Sequence, residues 1–287
     1  EGAKMTNKSK KNGIAIASVS KVNGKTLANN DKILGATKTA AGGATTFLTK
    51  VSDWANGSDG SYGLADVPTG WQTNTSDTVF SSGGVAQNAT RQWSSDSGGT
   101  TSSSGTGPTD GHDSSQGIDG DGREGSGSDY CYTEVSGQFN KHFLLRTPEL
   151  DFSNALSNNT LKLYFWFHMY GSNIGSLRVA ATDNSTSAAD GTLGKHFTSS
   201  TEGGLTITFW DDNSDDGSST SSAVIISGQQ QTQGHGNTSV DAHWRLAEVD
   251  LNDLAGQSSV YLWFHSLSSS SFRGDVCIDD VEVVGEE

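Results

Sequence analysis

The chain reads as all-β, and three observations predict it. Glycine occurs 36 times and proline 3 times in 287 residues, among abundant serine and threonine. The runs of Ala, Leu, Glu, Lys and Arg that long helices need are almost absent. Short apolar segments recur instead between Gly, Ser, Asn and Asp, the pattern of a sandwich or barrel with many turns.

Charge divides the chain near residue 50. Residues 1–50 hold nine lysines against Glu1 and Asp31, a net of +7, which leaves −22 on the rest of a chain whose formal charge is −15. So acidic a body repels polyphosphates, which excludes nucleic acid as its partner. Residues 1–45 read as a basic, extended docking arm. Within it Ile14-Ala15-Ile16-Ala17-Ser18-Val19-Ser20-Lys21-Val22 alternates apolar with small or polar residues and runs into Asn23-Gly24, a turn signal. A strand of this kind has no core of its own and needs a partner edge. Ile14, Ile16, Val19 and Val22 are its docking anchors, and the implied partners are proteins of a larger assembly, copies of the same chain included. The apolar run Gly13–Ala17 is too short for a signal segment. No stretch approaches the roughly 20 apolar residues of a membrane span.

Residues 46–287 read as the body. Its expected strands are Tyr130–Val135, Leu161–Met169, Ser176–Ala181, Leu205–Trp210, Ala223–Ser227, Trp244–Asp250, Ser259–Phe264 and Asp275–Val284, many with one apolar face. Leu161-Lys162-Leu163-Tyr164-Phe165-Trp166-Phe167 is apolar almost throughout, which predicts a central strand covered on both faces. Val276, Ile278 and Val281 should point inward from the last strand. Two polar segments, 94–129 with Ile118 as its one large apolar residue and 211–222, read as long loops.

Several phrases stand in a suggestive order: Pro68-Thr69-Gly70-Trp71, Gln92-Trp93, Thr106-Gly107-Pro108, Asp129-Tyr130-Cys131-Tyr132, Leu145-Arg146-Thr147-Pro148, Trp166-Phe167-His168-Met169-Tyr170-Gly171, Trp244-Arg245-Leu246 and Gly274-Asp275-Val276-Cys277-Ile278-Asp279-Asp280-Val281. Together they resemble a MAM domain, an adhesion module of animal cell-surface proteins, over about four-fifths of the chain. The resemblance implies a jelly-roll sandwich of two antiparallel sheets, adhesion between proteins, and no catalysis. The chain departs from that family in having 2 cysteines, an expanded loop between Trp93 and Tyr130, and a basic arm. About 25 residues of the arm resemble the N-terminal arms of bacteriophage tail and virion proteins.

Candidate chemistry is sparse. Cys131 and Cys277 are a disulfide candidate that would close a loop of about 146 residues, worth roughly 5 kcal/mol of chain entropy; two buried thiols are the alternative. The seven histidines (His112, His142, His168, His196, His235, His243, His265) lack the paired spacing of a metal or catalytic motif. His168 reads as a packed histidine. Asp119-Gly120-Asp121-Gly122 lacks the closing glutamate of a calcium loop. A calcium ion where the first strand meets the last would instead draw on Asp53, Asp66 and Asp279, because hard carboxylate oxygens suit that ion. Nothing singles out an acid and base pair among the 33 carboxylates for glycoside hydrolysis. These features predict a non-enzymatic virion or extracellular surface protein that attaches to a host, its arm docked and its jelly roll facing outward toward a cell-surface glycan or protein. The alternative is a carbohydrate-binding module, for which Trp54, Trp71, Trp93 and Trp210 are the aromatic residues not assigned to the core.

Overall fold

This computed structural model describes residues 44–51, 54, 67–82, 85–96, 106–108, 129–210, 220–231 and 244–287, with the backbone alone of six short strands between residues 10 and 38. Those six are Lys10–Lys11 (β1), Ile14–Ala15 (β2), Lys21–Val22 (β3), Lys25–Thr26 (β4), Asp31–Ile33 (β5) and Ala36–Lys38 (β6), paired antiparallel two by two. Ile14–Ala15 and Lys21–Val22 are the two ends of the strand expected through Ile14–Val22, and residues 16–20 between them lie outside the described residues. Val22 pairs with Lys25, the register that a two-residue Asn-Gly turn sets. The side chains of the anchors Ile14, Ile16, Val19 and Val22 lie outside the described residues.

The body follows with Ala44–Val51 (β7), Thr78–Ser82 (β8), Val85–Asn88 (β9), Ser94–Asp96 (β10), Tyr130–Tyr132 (β11), His142–Arg146 (β12), Lys162–His168 (β13), Ser176–Thr182 (β14), Ile207–Trp210 (β15), Thr220–Ala223 (β16), Ile226–Ser227 (β17), Arg245–Asp250 (β18), Tyr261–Leu267 (β19) and Cys277–Glu286 (β20). An eight-stranded sheet runs β10-β11-β20-β13-β18-β15-β16, with β7 also on β20, and a four-stranded sheet runs β12-β19-β14-β17. All strand pairs are antiparallel.

Alternation builds the core between the two sheets. Leu163, Phe165 and Phe167 of β13 share one apolar cluster with Phe143 and Leu145 of β12, Leu177 and Val179 of β14, and Leu262 and Phe264 of β19. The Phe165 and Phe264 rings meet edge to face at 5.2 Å. As its composition predicts, β13 is central, and its other face is covered too: Tyr164 and His168 are buried and Trp166 is half-buried.

The last strand changes phase partway along. Val276 and Ile278 face the core, and so do Val281 and Val283, which have the opposite parity. Trp166 pairs with Asp279 and Tyr164 with Glu282, so two steps along β13 match three along β20. The extra residue is a β-bulge at Asp280, whose φ of 50° lies in the left-handed region that Asp tolerates better than most residues. The bulge overturns one expectation. Strict alternation would put the adjacent Asp279 and Asp280 on opposite sides of the strand, one facing out of the sheet, yet both are buried.

Register also decides the cysteines. Cys131 pairs with Ile278 and Cys277 with Tyr132, so the two residues are neighbours one step out of phase. Successive residues of a strand face opposite sides. Accordingly Cys131 belongs to the core between the sheets, and Cys277 to a cluster with Tyr130, Tyr132 and Trp244 on the other face. Both are buried thiols, so the candidate disulfide gives way to the alternative.

Strand β7 begins at Ala44, which pairs with Glu286, two residues ahead of the expected start of the body at 46. Leu48 on this strand is buried in the main core opposite Val283. Deleting residues 1–43 is therefore expected to leave one cooperative thermal transition. Leu48→Ala in the full chain is expected to cost about 2–4 kcal/mol, measured by urea unfolding. A variant within about 0.5 kcal/mol of wild type would show that β7 is not part of the core.

Candidate functional site

Ligand recognition by a sandwich can use a sheet face or a loop-bearing end, and packing decides which is open. Trp54, Trp71 and Trp93 are all buried, with the first two rings 5.0 Å apart and edge to face. They are core residues and offer no platform to a sugar. The side chain of Trp210 lies outside the described residues.

The outer face of the four-stranded sheet carries His142, Leu144 and Arg146 from β12, Tyr261, Trp263 and His265 from β19, and Arg178 and Ala180 from β14. It is closed by the β8–β9 hairpin and by the segment 183–205. Val79, Phe80, Ala89, Ala188 and Phe197 from these pieces pack on Leu144, Ala180 and Trp263. Backbone bonds from Thr78 to Thr186 and from Ala188 back to Thr78 join the two coverings. Arg178, fully buried, fixes the cover by donating to the carbonyl oxygens of Ser199 (2.9 Å), Glu202 (2.5 Å) and Gly203 (3.0 Å), with its guanidinium 4.3 Å from the Phe197 ring centre. Burial lowers its pKa to about 10. Arg146 does the same for Ser185 at 3.0 Å and lies over Tyr261.

Under this cover two histidines touch, His142 Nδ1 and His265 Nε2 being 3.0 Å apart. Burial lowers both pKa values; His142 and Arg178 add to the shift of His265, and Arg178 to that of His142. The sequence held no signal for this pair, because 123 residues separate its members. His168 is buried edge-on to Trp244 with centroids 5.7 Å apart, a packed residue as expected.

Carboxylates gather where β20 begins. Asp275 accepts from the Val135 N–H at 3.1 Å and the Thr106 hydroxyl at 3.3 Å. Asp279 Oδ1 accepts from Trp54 Nε1 at 3.1 Å and from the Asp280 N–H at 2.8 Å, and Lys50 Nζ lies 3.5 Å from Asp280 Oδ2. Burial, then Asp275, Asp96, Cys131 and Asp279, push the Cys277 thiol well above its ordinary pKa. Of the calcium candidates only Asp279 is described; Asp53 and Asp66 lie outside the described residues, although Trp54 brings the chain beside Asp279. Among the described residues no three His, Cys, Asp or Glu side chains are grouped so as to hold a metal.

The loop-bearing end is different. The turns 136–141 and 268–274 are tied together: Asn140 N–H donates to Ser269 at 3.0 Å, Ser268 N–H to Lys141 at 3.0 Å, and the Ser268 hydroxyl to the Gln138 carbonyl at 2.6 Å. Asn173 N–H adds the turn 170–175 by donating to Arg273 at 2.8 Å. Gly171 is required there, since a Cβ would stand 2.5 Å from the Arg273 oxygen.

No protein-family model matches the sequence. Among solved structures, the K1 cleaved adhesin domain of Lys-gingipain from Porphyromonas gingivalis is similar at 16% identity and a TM-score of 0.40, over 85% of this chain and 98% of that one. The K2 adhesin domain of the same protein gives 14% identity and 0.40, over 84% and 97%. A family 11 carbohydrate-binding module from Clostridium thermocellum, in complex with a mixed-linked tetrasaccharide, gives 11% identity and 0.29, over 86% and 98%. What this body does is read from its own side chains.

The buried histidines set a pH dependence. Their folded pKa values are below the unfolded value of about 6.5, so the unfolded chain binds more protons as pH falls below 6.5, and stability is lost in that window. Lowering the pH from 7 to 5.5 should therefore lower the Tm. His142→Gln should flatten the slope. An identical slope in that variant would contradict the assignment.

Proposed function

We propose that the chain is a non-enzymatic attachment module, a MAM-like jelly-roll body carried by a basic arm on a virion or other extracellular assembly. The observation that carries this reading is the placement of the two ends of the sandwich. Ala44, where the arm joins, pairs with Glu286 at the finish of β20, while the turns 136–141 and 268–274 lie at the start of β12 and β20. A body anchored through residues 1–43 therefore turns that loop-bearing end away from its anchorage. The faces of the sandwich support the same reading, since their aromatic side chains are committed to packing.

Ile16→Asp with Val19→Asp tests the arm. The double variant should fail to join the native assembly while its body keeps the wild-type melting temperature. Normal incorporation would leave the arm a tether only, and docking would have to be sought on the body. The runner-up, carbohydrate binding, is favoured by one observation: Phe139 and Phe272 are the exposed large aromatic residues among those described, and both lie on the loop-bearing end.

Calcium at the junction of β7 and β20 is part of the proposal, with Asp279 as a ligand and Asp53 and Asp66 completing the set. A cation there would offset the repulsion among the buried carboxylates around Cys277. Calcium should then raise the Tm by linkage. Asp279→Asn should remove that rise and Asp121→Asn should keep it; a wild-type Tm indifferent to calcium would end the idea.

A further inference from the structure

Two chemistries hold the cover over the four-stranded sheet. Charge fastens segment 183–205: Arg178 donates to the carbonyl oxygens of Ser199, Glu202 and Gly203, and Arg146 to that of Ser185. Arg178 keeps its proton below neutrality even with its pKa lowered to about 10, so this staple is indifferent to acid. The β8–β9 hairpin has no staple. Its two strands contain no charged or titratable residue. Backbone bonds reach its foot, from Thr78 to Thr186, from Ala188 to Thr78 and from Thr90 to His142. Beyond the foot, Val79 and Phe80 sit in the cluster with Leu144, Ala180 and Trp263, and Ser81, Ser82 and Val85 are exposed. Apolar contact is what keeps the hairpin down.

That contact rests on a pair of histidines. The Phe80 ring meets His142 edge to face with centres 5.3 Å apart, and Phe197 of the other segment lies 5.5 Å from His265. The rings of His142 and His265 are themselves stacked, with Nδ1 of the first 3.0 Å from Nε2 of the second. His265 is fully buried, and its Nδ1 has no hydrogen-bond partner. Neither ring is in an ion pair among the described residues, and the charged neighbour acting on both is Arg178 of β14. Arg91 and Lys141, bordering His142 across the ladder and along the chain, are cations too. On segment 183–205, Asp183 is held by Thr192 and Lys195 by Asp253, Asp190 and Glu202 are exposed, and His196 is half-buried beside Phe197. Asp77, at the foot of the hairpin, has its pKa raised by burial, so its protonation favours the closed state and opposes opening by acid.

Between neutral imidazoles one N–H donates to the lone pair of the other ring. A first added proton leaves an N–H⁺···N bond in place. A second sets two N–H groups against each other and two charges beside Arg178, under a roof of phenylalanines. Water relieves that state, and it reaches the pair through the half-buried member, His142, once Phe80 lifts. Burial makes both rings bind protons more weakly when covered, so uncovering takes up protons and is favoured as pH falls below about 6.5. Each proton taken up multiplies the open fraction by at most about ten per pH unit.

We propose that the β8–β9 hairpin is an acid-released flap: double protonation of the His142–His265 pair frees it from the sheet, uncovering Leu144 and Trp263, while segment 183–205 stays stapled. A two-stranded hairpin without its sheet does not hold its ladder in water, so hydrogen exchange reads the release. The test follows the full chain by mass spectrometry at pH 7 and 5.5, with intrinsic exchange rates divided out. At pH 5.5, protection over residues 79–89 should lie below that of 183–205 and of β13, and roughly fivefold or more below its own value at pH 7. A neutral apolar dye should bind at the lower pH only. His142→Gln, at a half-buried position, should largely remove the difference between the two pH values. Phe80→Ala, which loosens the flap and leaves the pair intact, should lower hairpin protection already at pH 7 while that of 183–205 stays above it. Hairpin amides that exchange no faster than those of β13 at pH 5.5, or a pH difference that survives in His142→Gln, overturn the proposal. So does an equal loss over 183–205, which would make the whole cover one unit, and so does wild-type hairpin protection in Phe80→Ala.

Discussion

The phase change in β20 is the constraint on which the rest of the body depends. Without the extra residue at Asp280, the inward positions after Val276 and Ile278 would be Asp280 and Glu282, and Val281 and Val283 would face away from the core. Burying two valines is worth roughly 1.5–3 kcal/mol each. The left-handed backbone of one Asp costs about 1–2 kcal/mol, so the bulge wins. It also lets one long strand serve two neighbours on the same side, β11 along Cys277 and Ile278 and β7 beyond Val281. The pieces that meet at the bulge, Trp54 on Asp279 and Lys50 on Asp280, are those that fasten the first strand of the body to the last.

That fastening has consequences for recognition. Because β7 runs antiparallel to β20, the arm joins at the end of the sandwich where β20 finishes, and the joined turns around Phe139 and Phe272 occupy the other. One sheet face is roofed by the Arg178-stapled cover, and part of the other packs in the Tyr130, Tyr132 and Trp244 cluster. The ends of the sandwich carry the turns that join the strands. In the proposed reading, docking and recognition are separated by strand direction, before any particular side chain is considered.

Much of this architecture was legible in the sequence. The period-2 pattern located β13, β14, β18, β19 and β20 to within a few residues, and the aromatic run of β13 correctly placed it at the centre of a sheet. The misses have local causes. Strand β12, His142–Arg146, holds a histidine and an arginine on one face because that face is roofed by other segments, so it lacks the alternation of a half-exposed strand. The β8–β9 hairpin forms part of that roof, and the burial of Val79 and Phe80 in it comes from residues more than 50 positions away. Trp54, Trp71 and Trp93 stand in segments with no apolar periodicity, which left their burial undecided from sequence. The cysteines show the limit most sharply: sequence placed both on strands, but only the one-step offset of β11 against β20 puts them on opposite faces. The candidate site was less legible still, since the loop-bearing end unites residues from turns some 130 positions apart.

Asp280→Val tests the central role of the bulge most directly, because a β-branched side chain resists the left-handed backbone of the extra residue; Asp280→Gly is the control that keeps that backbone and loses the carboxylate. The measurement is cooperative unfolding followed by near-ultraviolet circular dichroism, which reports the packed tryptophans. The valine variant is expected to unfold several degrees below the glycine variant, because strain at residue 280 opposes the phase change that keeps Val281 and Val283 facing the core together with Ile278. A valine variant that unfolds cooperatively at the temperature of the glycine variant would contradict this account.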